Sequence, residues 1–234
     1  MTTHPAGPDA GIPGGVSRGG VAKAAKRGRS GGLFASRWWL PALYVAGFVP
    51  AGWFFFLGAT NHLGADPVRT FEHVLGLWAL RFVILALLVT PVRDLARINL
   101  LRFRRALGLL AFWYALMHLL VYAILDRGLR WHVILQDITK RPFLIIGMAT
   151  FVLLLVLACT SNRFSIRRLK RNWVRLHRLA YLAAALAAWH FIMSVKSWPP
   201  QPVLYGTIVA VLLAYRVVRP FRHRIAGGPS TARS

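Results

Sequence analysis

The 234-residue chain is poor in acids and nearly devoid of cysteine. Six Asp and Glu stand against 30 Lys and Arg, a net charge of +24, and Cys159 is the one cysteine. A single cysteine excludes an intrachain disulfide and a cysteine-rich metal site. No two histidines have the H-x-x-x-H spacing, and the apolar runs hold no acid to orient a zinc ligand, so a zinc site is disfavoured. There is no internal repeat, no G-x-G-x-x-G fingerprint after a strand pattern, and no phosphate loop. Nor is any soluble stretch long enough to hold a flavin or nicotinamide domain.

Apolar sequence is what the chain has in quantity. Hydrophobic residues make up 56% of it, a membrane-like rather than soluble-globular composition. The basic excess fits either nucleic acid or an anionic membrane surface. Its distribution decides: the cations form short clusters between apolar runs of about 17–21 residues, the pattern of loops facing anionic lipid. Six such runs lie at about 38–58, 73–90, 107–125, 142–160, 174–194 and 202–218. A span needs about 20 residues, and every backbone polar group in lipid must be satisfied internally, so the runs are expected to be helices. Barrel strands would be shorter and alternating, which excludes an outer-membrane barrel. The expected fold class is an all-α integral membrane protein, a bundle of about six transmembrane helices at residues 38–220.

Residues 1–37 are rich in Gly, Ala, Pro, Ser and basic residues and read as a disordered basic tail rather than a signal peptide. Residues 221–234 read as a second basic tail. With six alternating spans, one side of the membrane receives 23 Lys and Arg and the other 6, and Arg81 falls inside the second span. This asymmetry predicts that both termini are cytoplasmic. Trp38, Trp39, Trp131, Trp173 and Trp198 fall near span ends, where indole rings prefer to sit.

Ionisable groups inside spans are the natural functional candidates. His118 on the third span and His190 on the fifth precede the outer markers Asp126 and Lys196 by 8 and 6 residues. At 1.5 Å per residue these are depths of about 12 and 9 Å. The two imidazoles are therefore level in the outer leaflet. If their helices face each other, one haem iron can take an axial imidazole from each. His177 opens the fifth span 13 residues before His190, about 20 Å along the axis and about 140° around it. It would serve an inner redox centre only on a distorted helix or with the cofactor off-axis. His73 opens the second span at the outer boundary and could join the outer cluster. Arg81, about 12 Å deeper, could neutralise a haem propionate or contact a quinone oxygen. The competing readings are ordinary ones: interhelical hydrogen bonding for a lone membrane histidine, an interfacial residue for His177 between Arg175 and Arg178, a structural His73, and a snorkelling Arg81. His132 reads as solvated, and His4 and His223 lie in the tails.

Several short motifs occur together in one order over about residues 40–220. They are L-G-A-D-P-V (63–68), H-x-x-G from His73 to Gly76, L-x-T-P ending at Thr90 and Pro91, and R-R-x-L-G-L (104–109). M-H-L-L-V-Y (117–122), R-P-F-L (141–144), W-x-x-L-H (173–177), H-F-x-x-S-V-K (190–196) and P-Q-P (200–202) follow. In these the chain resembles the MsrQ family, the haem-binding membrane subunits of bacterial periplasmic protein-methionine-sulfoxide reductase systems, within the ferric-reductase-like transmembrane superfamily. The resemblance implies b-type haem, flavin mononucleotide (FMN), and a quinone pool as electron donor. It also implies a bacterial inner-membrane location and a heterodimeric partner, a periplasmic molybdopterin-containing reductase that itself reduces methionine sulfoxide in oxidised proteins. It makes His118 and His190 match haem-ligand positions and His177 a third. Two-haem ferric reductases carry two histidines on each of two helices. Here the third helix has only His118, and Arg105 stands 13 residues earlier. Two rivals remain. A stand-alone ferric or cupric reductase would need a nicotinamide- and flavin-binding domain. A non-redox transporter or assembly factor is disfavoured by spans without acids or a Gly/Pro-broken helix pair.

Overall fold

Nine helices appear in the computed structural model, which describes residues 38–195 and 199–226, with side chains described to 219. The segment 1–37, Lys196, Trp198 and residues 227–234 lie outside that description. The helices are α1 (Trp39–Ala59), α2 (Pro67–Ala96), α3 (Arg104–Leu120), α4 (Trp131–Lys140), α5 (Pro142–Cys159), α6 (Arg163–Leu169), α7 (Arg171–Leu176), α8 (Leu179–Ser194) and α9 (Pro200–Ala226). No strand occurs among the described residues. Among the described residues, six stretches are long and apolar enough to cross a membrane: Trp39–Ala59, Pro67–Ala96, Leu101–Asp126, Pro142–Cys159, Arg171–Ser194 and Pro200–Arg219.

The second span differs most from its sequence reading. α2 has 30 residues and begins six residues before position 73. Asp66 caps it by accepting a hydrogen bond from the Arg69 amide at 3.1 Å, and Pro67 occupies the first turn, where a missing N–H costs nothing. This start draws Glu72 and His73 into the helix, and Asp94 lies near its other end. The expectation of acid-free spans is therefore corrected. The span is longer than its apolar run because capping, not hydropathy, sets its start. Asp94 is neutralised locally: Arg219 and Arg93 reach it at 2.6 and 3.1 Å.

The fifth span is interrupted where α7 ends at Leu176 and α8 begins at Leu179. α4 is an addition within the loop expected between the third and fourth spans. It is amphipathic, with Ile134 buried and Trp131 67% exposed. α9 continues to Ala226, into the segment read as a tail.

α2 packs chiefly on α3 and α5 on α8, while α8 also packs on α9. Leu75, Leu80, Phe82, Leu107, Leu110, Tyr114, Ala183, Ala184 and Val209 fill the core between them. The outer surface is apolar: Val45, Trp53, Phe55, Val152 and Val211 are all more than half exposed, as a hydrocarbon solvent allows. α1 is locked to α3 at one point. The Tyr114 hydroxyl donates to the Gly47 carbonyl at 2.7 Å and accepts from the Ala51 amide at 3.0 Å, beside Pro50. Beyond His118, α3 widens into a π-helical turn, Val121–Asp126, a distortion common at functional sites.

Candidate functional site

A cavity of about 1470 Å³ opens between α2, α3, α5 and α8 and is flanked by α4. It exceeds the roughly 300–1,000 Å³ of an ordinary small-molecule pocket. Its walls are mainly apolar, including Leu77, Leu80, Leu119, Met148, Phe151 and Ile138. Its charged groups (Asp66, Arg69, Glu72, Asp126, Arg127 and Arg141) gather at the loop end away from residues 97–103. α4 is tied over that end through Asp137. Arg127 reaches Asp137 at 2.7 Å, Arg141 at 3.3 Å, and the Tyr122 hydroxyl donates to it at 3.2 Å. Burial works against the Arg127 charge, but the Tyr122 hydroxyl and the carboxylates of Asp126 and Asp137 outweigh it and raise its pKa above the ordinary arginine value.

His118 from α3 and His190 from α8 face each other across the cavity, ring centres 6.3 Å apart and planes at 77°. Their Nδ1 atoms lie 2.9 Å from the Glu72 carbonyl oxygen and 2.7 Å from the Phe143 carbonyl oxygen. A carbonyl only accepts, so each Nδ1 carries the proton and each Nε2 keeps a free lone pair. Fixing one ring nitrogen by a backbone acceptor so that the other can ligate is the usual arrangement around a metal-bound histidine.

Two glycines make this placement possible. A Cβ at Gly76 would stand 3.1 Å from His118 Nδ1, and one at Gly147 would stand 2.7 Å from His190 Cε1. Gly76 is four residues after Glu72, and Gly147 is four residues after Phe143. In a helix, residue i+4 stands over the carbonyl of residue i. Glycine there uncovers the carbonyl and lets an imidazole from another helix reach it. The same four-residue device occurs twice, once for each ring. Gly76 belonged to a sequence motif without a role, and Gly147 carried no sequence signal.

The donor set can be tested against candidate metals. Among the described residues no group of three or more His, Cys, Asp or Glu side chains could hold a bare ion. A two-imidazole site therefore suits a metal whose other ligands come with it, as a porphyrin supplies them. Were both Nε2 atoms turned to one metal, bonds of about 2.0–2.1 Å and about 1.1 Å from each nitrogen to its ring centre would put the centres roughly 6.2–6.4 Å apart. The 6.3 Å found in the cavity matches. The residues present fit haem.

The other sequence candidates separate. His73 lines the same cavity and packs on Phe191 at 5.6 Å between ring centres. Glu72, passed over in the sequence, also lines it. His177 and Arg81 are not among the lining residues. His177 stacks on Trp173 at 3.9 Å, with Nδ1 3.2 Å from the Trp173 carbonyl oxygen and Nε2 3.3 Å from Ser161 Oγ. The Ser161 hydroxyl donates to the Leu157 carbonyl at 2.6 Å, and the His177 ring also hydrogen-bonds to the Leu157 backbone. Arg81 donates from Nε to the Tyr205 hydroxyl at 2.8 Å on α9.

The six apolar helices make this a multi-pass membrane protein, and the family model for the ferric reductase like transmembrane component matches residues 75–188, the stretch that carries α3, α5 and most of α2 and α8 around the paired-histidine cavity. Over 185 residues the chain is 63% identical to proteins of Brucella ovis, Brucella abortus and Brucella melitensis, covering 79% of this chain and 84% of each relative. Each of these is the protein-methionine-sulfoxide reductase heme-binding subunit MsrQ. The chain belongs to the MsrQ family.

Proposed function

We propose that this chain is the haem b-carrying membrane subunit of a protein-methionine-sulfoxide reductase system. It takes electrons from the quinone pool and passes them to a periplasmic molybdopterin-containing partner in which the sulfoxide is reduced. The observation that carries the reading is the His118–His190 pair: two Nδ1-protonated imidazoles, 6.3 Å apart, facing each other in a large, mainly apolar cavity. Bound there, haem would supply a one-electron relay inside hydrocarbon. His118 and His190 would hold its iron, Gly76 and Gly147 would keep both rings in register, and the apolar walls would exclude water. The inner-side position of His177, apart from the His118–His190 cavity, makes it the residue to test for an inner centre. FMN enters through the family resemblance.

The electron balance is simple. A quinol gives up two electrons and two protons, and a sulfoxide takes two of each to become a sulfide and water. The 23-to-6 distribution of basic residues supports cytoplasmic termini in the bacterial inner membrane. In that orientation the charged mouth of the cavity, with Arg127, Arg141 and Asp66, faces the periplasm, where the partner would dock.

The test is haem content per chain by pyridine haemochrome. Wild-type protein should show a reducible b-type spectrum, and His118→Ala or His190→Ala should each lose most of the haem. Full haem content in both variants would overturn the pairing.

A further inference from the structure

Arg81 stands at the middle of the 30-residue α2. The nearest acid on its own helix, Glu72, is nine residues away, about 14 Å along the axis. Among the described residues no carboxylate pairs with Arg81. Its Nε donates to Tyr205 Oη at 2.8 Å, and its guanidinium carbon lies 4.7 Å from the Trp78 ring centre and 5.9 Å from that of Tyr205. Neither terminal amino group donates to another described residue. The side chain is part-exposed, and the same face of α2 continues one turn on to Leu85, 41% exposed. On α9, Leu204 beside Tyr205 is 58% exposed. Two strong donors thus sit within a span at a surface that hydrocarbon covers, where an unpaired cation is costly.

We propose that the α2–α9 seam at Arg81, Trp78 and Tyr205 is the quinone headgroup site. This assignment rests on quinone being the electron donor, as proposed above. The ligand must reach the site through lipid, present carbonyl or phenolic oxygens to the free guanidinium N–H groups, and offer a flat ring to Trp78 and Tyr205. A quinone headgroup on an isoprenoid tail meets all three needs, whereas lipid phosphates stay at the membrane surface. The seam is one aromatic side chain from the cavity. Tyr205 packs on Phe191 at 6.2 Å, and Phe191 lines the cavity and contacts His73 at 5.6 Å. The quinone therefore has its own site, on the lipid side of Phe191, separate from the His118–His190 cavity.

The test uses the haem-loaded full chain in nanodiscs with a photoreactive azido-ubiquinone analogue, followed by peptide mapping and, separately, by stopped-flow haem reduction with decylubiquinol. Label is expected on the α2 segment around Trp78 or the α9 segment around Tyr205. Losing a hydrogen bond to a charged group should cut labelling about tenfold or more in Arg81→Gln, with partial recovery in Arg81→Lys. The same variant should raise the KM for decylubiquinol by a similar factor, while haem content and the dithionite-reduced spectrum stay at wild-type values. Tyr205→Phe keeps the ring and should weaken labelling less. Labelling confined to cavity residues such as Leu77 or Leu119, or unchanged in Arg81→Gln, overturns the site. If wild-type haem is reduced by decylubiquinol while the seam is unlabelled, the site falls and the quinone donor stands. If dithionite reduces wild-type haem and decylubiquinol does not, the donor reading falls, and the site with it.

Discussion

Gly147→Ala adds one methyl group facing the cavity, and the structure says what that methyl meets. Its Cβ would lie 2.7 Å from Cε1 and 2.9 Å from Nδ1 of His190. The ring is held at that spot by the Phe143 carbonyl, 2.7 Å from Nδ1, so it cannot back away and keep its hydrogen bond. Losing a hydrogen bond of this kind costs about 0.5–1.5 kcal/mol, and overpacking of a well-filled site costs about 1–3 kcal/mol. Together they give roughly 1.5–4.5 kcal/mol, or about 10- to 1,600-fold weaker haem retention at 1.4 kcal/mol per tenfold. Gly76→Ala should follow in the same direction more mildly, because its Cβ stands 3.1 Å from His118 Nδ1. Gly108→Ala is the control: nothing lies within 4 Å of its Cβ, and the change should improve helix propensity by up to about 1 kcal/mol. The assay is haem per chain in detergent at graded haem supply, with the visible spectrum of the reduced form. Full haem occupancy and an unchanged spectrum in Gly147→Ala would refute the claim that this glycine sets the position of the His190 ring.

Asp137→Asn should loosen α4 over the cavity mouth, since one carboxylate holds Arg127, Arg141 and Tyr122. An effect of about 1–3 kcal/mol would appear as faster amide exchange confined to residues 127–141. Unchanged exchange would show that apolar contacts hold the helix instead. His177→Gln should leave the spectrum of a His118–His190 centre intact, because His177 does not line that cavity. Any loss should be restricted to a second spectral component, and loss of all haem would contradict the separation of the two regions. Extracting haem from the wild type should lower its thermal midpoint, and adding haem back should restore it in a concentration-dependent way, as for any ligand that binds only the folded state. A midpoint insensitive to haem would argue against a folded-state haem site.

The spans were legible because hydrocarbon demands about 20 apolar residues per crossing. Four of the six sequence-derived segments lie within about three residues of the observed spans at both ends. The second and third spans start six residues earlier than read, at Pro67 and Leu101, and at the second Asp66 and Pro67 set that boundary by capping. α4 was missed for a related reason. Its 10 residues are too few to span and too polar to register as an apolar run, and its amphipathic face matters only against the cavity it covers.

For the site, the 3.6-residue period and a 1.5 Å rise were enough to level His118 with His190 and to set His177 apart. They could not show which way a ring points or what holds it. The Glu72 and Phe143 carbonyls that fix the Nδ1 protons belong to other helices, 46 and 47 residues away in sequence. Arg81 had two possible roles in the sequence, towards a propionate or towards a quinone. Packing of α2 against α9 turned it to Tyr205, away from the cavity. By itself the sequence determined solvent, span count and depth, since each follows from local hydropathy and helical rise. Only the tertiary structure decided which faces meet, because a one-residue shift in a helix turns a side chain by 100° without altering the hydropathy of its span. Gly147 shows the difference most plainly: in the chain it is a glycine among apolar residues, and in the fold it is the gap through which His190 reaches the Phe143 carbonyl.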